Sequence, residues 1–239
     1  MEIGEIISDS MKYPLSNIKA LLIYAVISIV AFLILVLTGV GILTGANINN
    51  FIVSGGAGIL GVILFILIYL LIVGYGLDVI KYGINRDPGS PGIDFGRQIA
   101  NGAKYIIVGI VYMIVPAIIT LILNLFLKDW LISVISFILV IVFGLALFMA
   151  QCRLAKTDSL GEALNIGEAI GDIGRVGLFK LLAVTIIIAI IIFILFFIVG
   201  LILQMGTIGS YIGAILMGVL GVYIVFVTNR ATGLLYSDV

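Results

Sequence analysis

The sequence contains no histidine, a single cysteine and few charged residues. Because histidine is the usual general base and a frequent zinc ligand, its absence excludes a Ser-His dyad and an imidazole metal site. The lone cysteine, Cys152, excludes an intramolecular disulfide. Twelve basic residues balance twelve acidic ones, so the net charge gives no signal for nucleic-acid binding.

Hydrophobic residues dominate the composition instead. They make up 63% of the 239 residues, whereas charged residues make up only 10%. The mean hydropathy is +1.40. A soluble domain carries roughly 25% charged residues. The composition therefore predicts an all-α integral membrane protein.

Six apolar runs without a charged residue are each long enough to cross a membrane as a helix. They are Ala20–Leu43, Ala57–Leu77, Tyr105–Leu127, Trp130–Ala150, Leu181–Leu203 and Ile208–Val227. The first run is too long for the hydrophobic part of a cleavable signal, so we expect it to remain as a span. The sequence thus predicts six transmembrane helices, arranged as three hairpins in one membrane domain over residues 1–239.

The basic residues predict the orientation of these spans. Eleven of the twelve Lys and Arg residues lie at the termini and in the two long connections, and the short connections hold only Lys128. The positive-inside rule places the basic side in the cytoplasm. We therefore expect a multi-pass cell-membrane protein with cytoplasmic N- and C-termini, with Asn49 outside and with Ser90 and Asn165 inside.

A segment with apolar and charged residues at helical spacing precedes the first, third and fifth spans. Each segment ends in a lysine, at Lys19, Lys104 and Lys180. We predict that each forms an amphipathic helix along the cytoplasmic membrane surface.

This recurrence predicts a three-fold internal repeat. Its units would be residues 1–86, 87–158 and 159–239. The alternative is that any two-span hairpin with polar cytoplasmic loops would produce the same pattern.

The third segment shows the pattern best and opens with a capping box, Ser159 to Glu162. Its polar positions are Glu162, Asn165, Glu168, Asp172 and Arg175. The acids Asp158, Glu162, Glu168 and Asp172 could hold a hard cation, but their helical spacing favours a solvated cytoplasmic face. No metal site is predicted there.

Polar residues also recur at the C-terminal ends of the even-numbered spans. They are Asp78, Lys81, Gln151, Arg153, Asn229 and Arg230. All six are expected near the cytoplasmic boundary, where an arginine from a neighbouring hairpin could pair with Asp78. The alternative is ordinary interfacial anchoring, in which long side chains extend toward water.

Within the spans, the polar side chains are uncharged. The deepest are expected to be Thr120, Asn124, Thr185, Ser28, Ser133 and Ser136. Ion-coupled transporters usually place ionisable residues inside their spans, and no phosphate-binding loop, dinucleotide fingerprint or Cys-x-x-Cys pair is present. We predict no catalytic, cofactor-binding or metal-binding residue and no enzyme activity. A polar cavity near the bilayer midplane around Pro116 and Asn124 would favour transport.

Three features of the chain resemble a known family. They are the three-hairpin plan, Tyr13-Pro14 after an amphipathic segment, and the passage from Arg153 to Ala163. Together they resemble an archaeal domain-of-unknown-function family of small six-span membrane proteins. That family is in turn similar to the membrane domain of some bacterial glycerophosphodiester phosphodiesterases. The resemblance implies a six-span fold and carries no catalytic residue onto this sequence, since the soluble phosphodiesterase domain has no counterpart here.

These observations favour a non-catalytic multi-pass membrane protein that acts as a scaffold, a lipid-interacting protein or an accessory subunit. The expected partners are membrane lipid and another membrane or cytoplasmic protein, and no nucleic acid or cofactor is expected. A homo-oligomer could form through small-residue spacings such as Gly41–Gly45 and Gly209–Gly213. The alternative function is a transporter or permease for an uncharged or amphiphilic solute.

Overall fold

The computed structural model describes residues 1–47 and 50–239, so Asn49 lies outside the described residues. Over that part of the chain the regular structure is helical. The helices are α1 (Ile3–Ser16), α2 (Ile18–Asn47), α3 (Phe51–Ile84), α4 (Phe95–Leu123), α5 (Asp129–Thr157), α6 (Leu160–Ala163), α7 (Ile166–Val176), α8 (Leu178–Leu203) and α9 (Gly206–Leu235).

Six of these helices, α2, α3, α4, α5, α8 and α9, are long and apolar enough to cross a membrane. They coincide with the six predicted runs, which confirms the predicted all-α membrane fold. Some helices continue well beyond the apolar run: α3 ends at Ile84 and α9 at Leu235. The extension of α3 follows from its sequence, because no proline interrupts the helix before Pro88.

The segments that precede the three hairpins differ from the expectation of one separate surface helix each. Before the first hairpin, α1 is a separate helix. Before the third, the predicted single helix is divided into α6 and α7, because Asn165 caps a new helix, and Gly177 separates α7 from α8 with a φ of +93°. The middle segment instead forms the first turns of α4. The reason is that no proline precedes Pro116 in α4 and no residue there adopts a left-handed conformation.

The central helix of the bundle is α3, which packs against α2, α4 and α9. The other main contacts join α4 to α5 and α8 to α9. The three non-spanning helices also pack into the bundle. Helix α1 contacts α9 through a face that includes Ile6 and Tyr13, α7 contacts α5 through a face that includes Ala169 and Ile173, and the short α6 also contacts α5. The non-spanning helices therefore cover the ends of the spanning ones.

Two pairs of glycines allow the backbone of α3 to approach its neighbours closely. A Cβ atom at Gly102 of α4 would overlap the carbonyl oxygen of Leu70, and one at Gly233 of α9 would overlap the carbonyl oxygen of Ile80. On α3 itself, Gly74 and Gly83 face the same two crossings. Small residues at helix crossings favour close packing in membranes. These contacts hold the C-terminal end of α3, which carries Asp78 and Lys81, between α4 and α9. We call this end of the bundle its polar end.

Candidate functional site

The six predicted boundary residues do not form one cluster in the structure. Four of them belong to three separate groups, which we name the Asp78 cluster (Asp78, Lys81, Arg97, Asn101), the Asp172 cluster (Arg153, Glu162, Glu168, Asp172, Arg175, Tyr236) and the Arg230 cluster (Arg230, Asp9, Tyr13, Asp87). Each group joins the polar end of an even-numbered span to another segment. The Arg230 cluster joins α9 to α1.

The Asp78 cluster connects α3 with the first turns of α4. The Asp78 side chain is buried, and its Oδ1 accepts hydrogen bonds from Arg97 Nη1 at 2.9 Å and from Asn101 Nδ2 at 3.2 Å. Arg97 starts the second hairpin, so this contact is the predicted pairing of Asp78 with an arginine from a neighbouring hairpin. Lys81, one turn beyond Asp78, is exposed, and it lines a small cavity together with Asp78, Arg97 and Asn101.

The Asp172 cluster connects the end of α5 with α7 and with the end of α9. Asp172 is fully buried and accepts hydrogen bonds from Arg153 Nη1 at 3.1 Å, from Tyr236 Oη at 2.6 Å and from Arg175 Nη1. The prediction that Asp172 belongs to a solvated face is therefore wrong. Its carboxylate can be buried because three donors compensate for the loss of water.

The outer part of the Asp172 cluster is exposed and adds a second layer of charge. Glu162 Oε2 lies 2.8 Å from Arg153 Nη2, and Glu168 Oε2 lies 3.2 Å from Arg175 Nη2. The hydrogen bond with Asp172, followed by that with Glu168, holds the pKa of Arg175 above its usual value. Burial, together with the hydrogen bond to Asp172, raises the pKa of Tyr236, so the phenol stays protonated and donates.

The Arg230 cluster connects α9 with α1. The Arg230 side chain is only 1% exposed, its Nε lies 2.7 Å from Asp9 Oδ1, and its Nη1 donates to the carbonyl oxygen of Asp87 at 2.6 Å. The guanidinium carbon lies 4.6 Å from the centre of the Tyr13 ring, a cation–π contact. Burial raises the pKa of Tyr13. Arg230 is thus held inside the protein and does not extend toward water.

The remaining two predicted residues lie outside these ion pairs. Asn229 donates from Nδ2 to the carbonyl oxygen of Val225 on its own helix, and its amide lies against Gly76. Gln151 is buried beside Tyr105. Both residues contribute to helix packing.

A buried aromatic group next to the Asp78 cluster was not predicted. Tyr24 donates to Gln98 Oε1 at 2.5 Å, and its ring lies 4.3 Å from that of Tyr75, which in turn lies 5.1 Å from Phe226. The sequence gives one signal for this group, because Tyr24 and Tyr75 interrupt mainly aliphatic runs. A tyrosine buried in such a run usually needs a hydrogen-bond partner for its hydroxyl.

Two larger cavities are mainly apolar. One, of about 200 Å³, lies between α5, α8 and α9 and includes the threonines Thr185, Thr228 and Thr232. The other, of about 320 Å³, lies between α2, α3 and α9. Neither is lined by Pro116 or Asn124. The expectation that Asn124 is among the deepest polar side chains is wrong, because α4 ends at Leu123 and Asn124 caps that end.

Within residues 1–47 and 50–239, no group of three or more His, Cys, Asp or Glu side chains is arranged to hold a metal ion. The contacts observed within the three clusters are ion pairs, hydrogen bonds and one cation–π contact.

Comparison with known families places this fold in context. The family described as "protein of unknown function (DUF4013)" matches residues 57–205, which is more than half of the chain. The chain belongs to this family. The match runs from α3 to the end of α8, so it includes the Asp78 cluster and most of the Asp172 cluster and excludes α1. No curated protein and no solved structure matches the chain.

Proposed function

We propose that this member of the DUF4013 family is a non-catalytic membrane protein that acts as a lipid-interacting scaffold or accessory subunit. The observation that carries the proposal is the distribution of charge. The charged side chains that the bundle buries among the described residues are Asp78, Asp172 and Arg230, and each forms an ion pair with a partly exposed residue at the polar end. The two larger cavities between the spans are mainly apolar. Ion-coupled transporters usually place ionisable residues along a cavity within the spans.

Three lysines at the polar end support an interaction with lipid headgroups. Lys12, Lys19 and Lys81 are exposed and form no ion pair with the described residues. Basic residues at a membrane surface each attract anionic lipid by about 1 kcal/mol. We therefore propose lipid as the main partner, with α1 and α7 available to a second protein, and we propose that the polar end faces the cytoplasm.

A reconstitution experiment tests this function. The purified protein would be placed in lipid vesicles, and the uptake of small uncharged solutes and the transbilayer movement of a fluorescent lipid would be measured. We expect no flux above that of empty vesicles. Flux that is present with the natural protein and lost with Asp78→Asn or Arg153→Ala would overturn the proposal.

The second candidate is a permease for an uncharged or amphiphilic solute, and the cavity of about 200 Å³ favours it. The hydroxyls of Thr228 and Thr232 donate to carbonyl oxygens of α9, so they offer only acceptor capacity to a solute. If this candidate were correct, Thr185→Trp would fill the cavity and block flux in the vesicle assay.

We also propose that the three hairpins are copies of one unit. The Asp78–Arg97 and Arg153–Asp172 pairs each span 19 residues and connect one hairpin to the start of the next. The Arg230–Asp9 pair connects the end of the third hairpin to the start of the first. The order of charges is reversed in the first pair. A variant that combines Asp78→Arg with Arg97→Asp should therefore be more stable than either single variant, and equal or lower stability would count against equivalence. The relation to archaeal proteins and to phosphodiesterase membrane domains stays a prediction.

A further inference from the structure

One oxygen of the Asp78 carboxylate has no hydrogen-bond partner. Oδ1 accepts from both Arg97 and Asn101, whereas Oδ2 is buried and unpaired. The Asp78 side chain is only 4% exposed. An unpaired carboxylate oxygen is costly to bury. The nearby Gln98 accepts from Tyr24 with its amide oxygen and donates one N–H to the Gly92 carbonyl oxygen, so only its second N–H is available to the Asp78 carboxylate.

Asp78 lines a cavity of about 100 Å³ between α3, α4 and α5. The other polar residues around this cavity are Lys81, Arg97, Asn101 and Asp158. Arg97 is paired with Asp78, and Asp158 is paired with Lys104 at 2.6 Å. Lys81 forms no ion pair with the described residues. The cavity therefore presents one acceptor without a donor and one cation without an anion.

The need of Asp78 for a donor and of Lys81 for an anion restricts which chemical group can occupy the cavity. A cation alone would satisfy Asp78 Oδ2 and would leave Lys81 without an anion. An anion alone would satisfy Lys81 and would be repelled by the unpaired oxygen of Asp78. A group that combines a phosphate with an N–H donor satisfies both, because charge-assisted hydrogen bonds to a carboxylate and to a phosphate are the strongest available here.

The position of the cavity identifies the source of such a group. Asp78 directly follows the last residue of the second apolar run, Leu77, which also lines the cavity. The end of an apolar run marks the level where hydrocarbon meets lipid headgroups. The occupant at this level is therefore a lipid headgroup.

We propose that this cavity binds the headgroup of a phospholipid that carries a primary ammonium, such as phosphoethanolamine. The ammonium donates to the Asp78 carboxylate, and the phosphate contacts Lys81. The inference rests on the lipid-interacting function proposed above and names the headgroup. A trimethylammonium headgroup has the same net charge and no N–H donor, so this site discriminates against it.

The test is lipid retention by the full-length protein, measured by native mass spectrometry after mixing with phosphatidylethanolamine and phosphatidylcholine of identical acyl chains. We expect retention of the primary-ammonium lipid to be about tenfold higher, the scale of one charge-assisted hydrogen bond. Asp78→Asn should abolish the preference, because it removes the charged acceptor that distinguishes the two ammonium groups. Lys81→Gln should lower the retention of both lipids, since it deletes the contact with the phosphate that they share. Lys19→Gln removes the same charge outside the cavity and should leave the retention of both lipids unchanged.

Equal retention of the two lipids would overturn the inference, as would a retention of both lipids that Lys81→Gln leaves unchanged. Soluble glycerophosphoethanolamine should compete poorly, and competition at the same concentration as the lipid would contradict the lipid source. If other lipids are retained without headgroup preference, this inference fails and the lipid-interacting function stands. If no lipid is retained, both fail.

Discussion

Asp172 and Glu168 offer a matched comparison of burial within the Asp172 cluster. Both lie on α7, about one turn apart, and both contact Arg153 and Arg175. They differ in exposure: the Asp172 side chain is fully buried, whereas the Glu168 side chain is 44% exposed. Changing each acid to its amide removes the charge and preserves the shape. Apart from the hydrogen bond that Tyr236 donates to Asp172, the main difference between the two acids is burial.

We expect Asp172→Asn to lower the free energy of unfolding by about 3 kcal/mol, since removing one partner of a buried ion pair costs roughly 3–5 kcal/mol and the amide keeps one acceptor oxygen. Glu168→Gln should cost less than about 1 kcal/mol, because exposed pairs contribute little. Tyr236→Phe removes one donor from Asp172 and should cost about 1 kcal/mol, with no change of charge.

The assay is reversible unfolding in mixed detergent micelles, followed by circular dichroism and repeated for each variant. Equal losses for Asp172→Asn and Glu168→Gln would show that the buried position of Asp172 does not matter. That result would refute the explanation of how α7 is held against α5.

Two further predictions concern packing and orientation. Gly102→Ala should destabilise the protein by about 1–3 kcal/mol in the same unfolding assay, because its Cβ would overlap the Leu70 carbonyl oxygen. Gly109→Ala on the same helix has open space around it and should be neutral or stabilising. Equal effects of the two variants would contradict the close crossing of α3 and α4. In a background without the native cysteine, an impermeant thiol reagent should label Asn124→Cys and not Ser90→Cys in intact cells, and the reverse pattern would refute the proposed orientation.

The spans could be predicted from the sequence because each is a charge-free run whose helical length matches the thickness of the hydrocarbon layer. The positions where the helices end could not be predicted, since a helix continues past its apolar run wherever no proline or left-handed residue ends it. This explains why α3 extends to Ile84 and why the segment around Arg97 belongs to α4. The pairing of Asp78 with Arg97 and Asn101 depends on the packing of α3 against α4, which the sequence alone does not show.

The error at Asp172 has a similar origin. Its helical spacing matched that of Glu162 and Glu168, and periodicity within one helix cannot show that another segment, here the end of α5 and Tyr236, covers part of the polar face. The close contacts at Gly74 and Gly102 were also hidden, because a chain with 29 glycines offers many equivalent candidates. Both features depend on tertiary contacts between distant parts of the chain.

The central claim is that this protein interacts with lipid headgroups through its polar end. The most direct measurement is photo-crosslinking in native membranes with a phospholipid that carries the reactive group on its headgroup, followed by mapping of the adducts by mass spectrometry. Adducts should concentrate on peptides that contain Lys81 and Arg97 and should be scarce around Asn124 at the opposite end of the bundle. An equal distribution of adducts between the two ends would contradict the account.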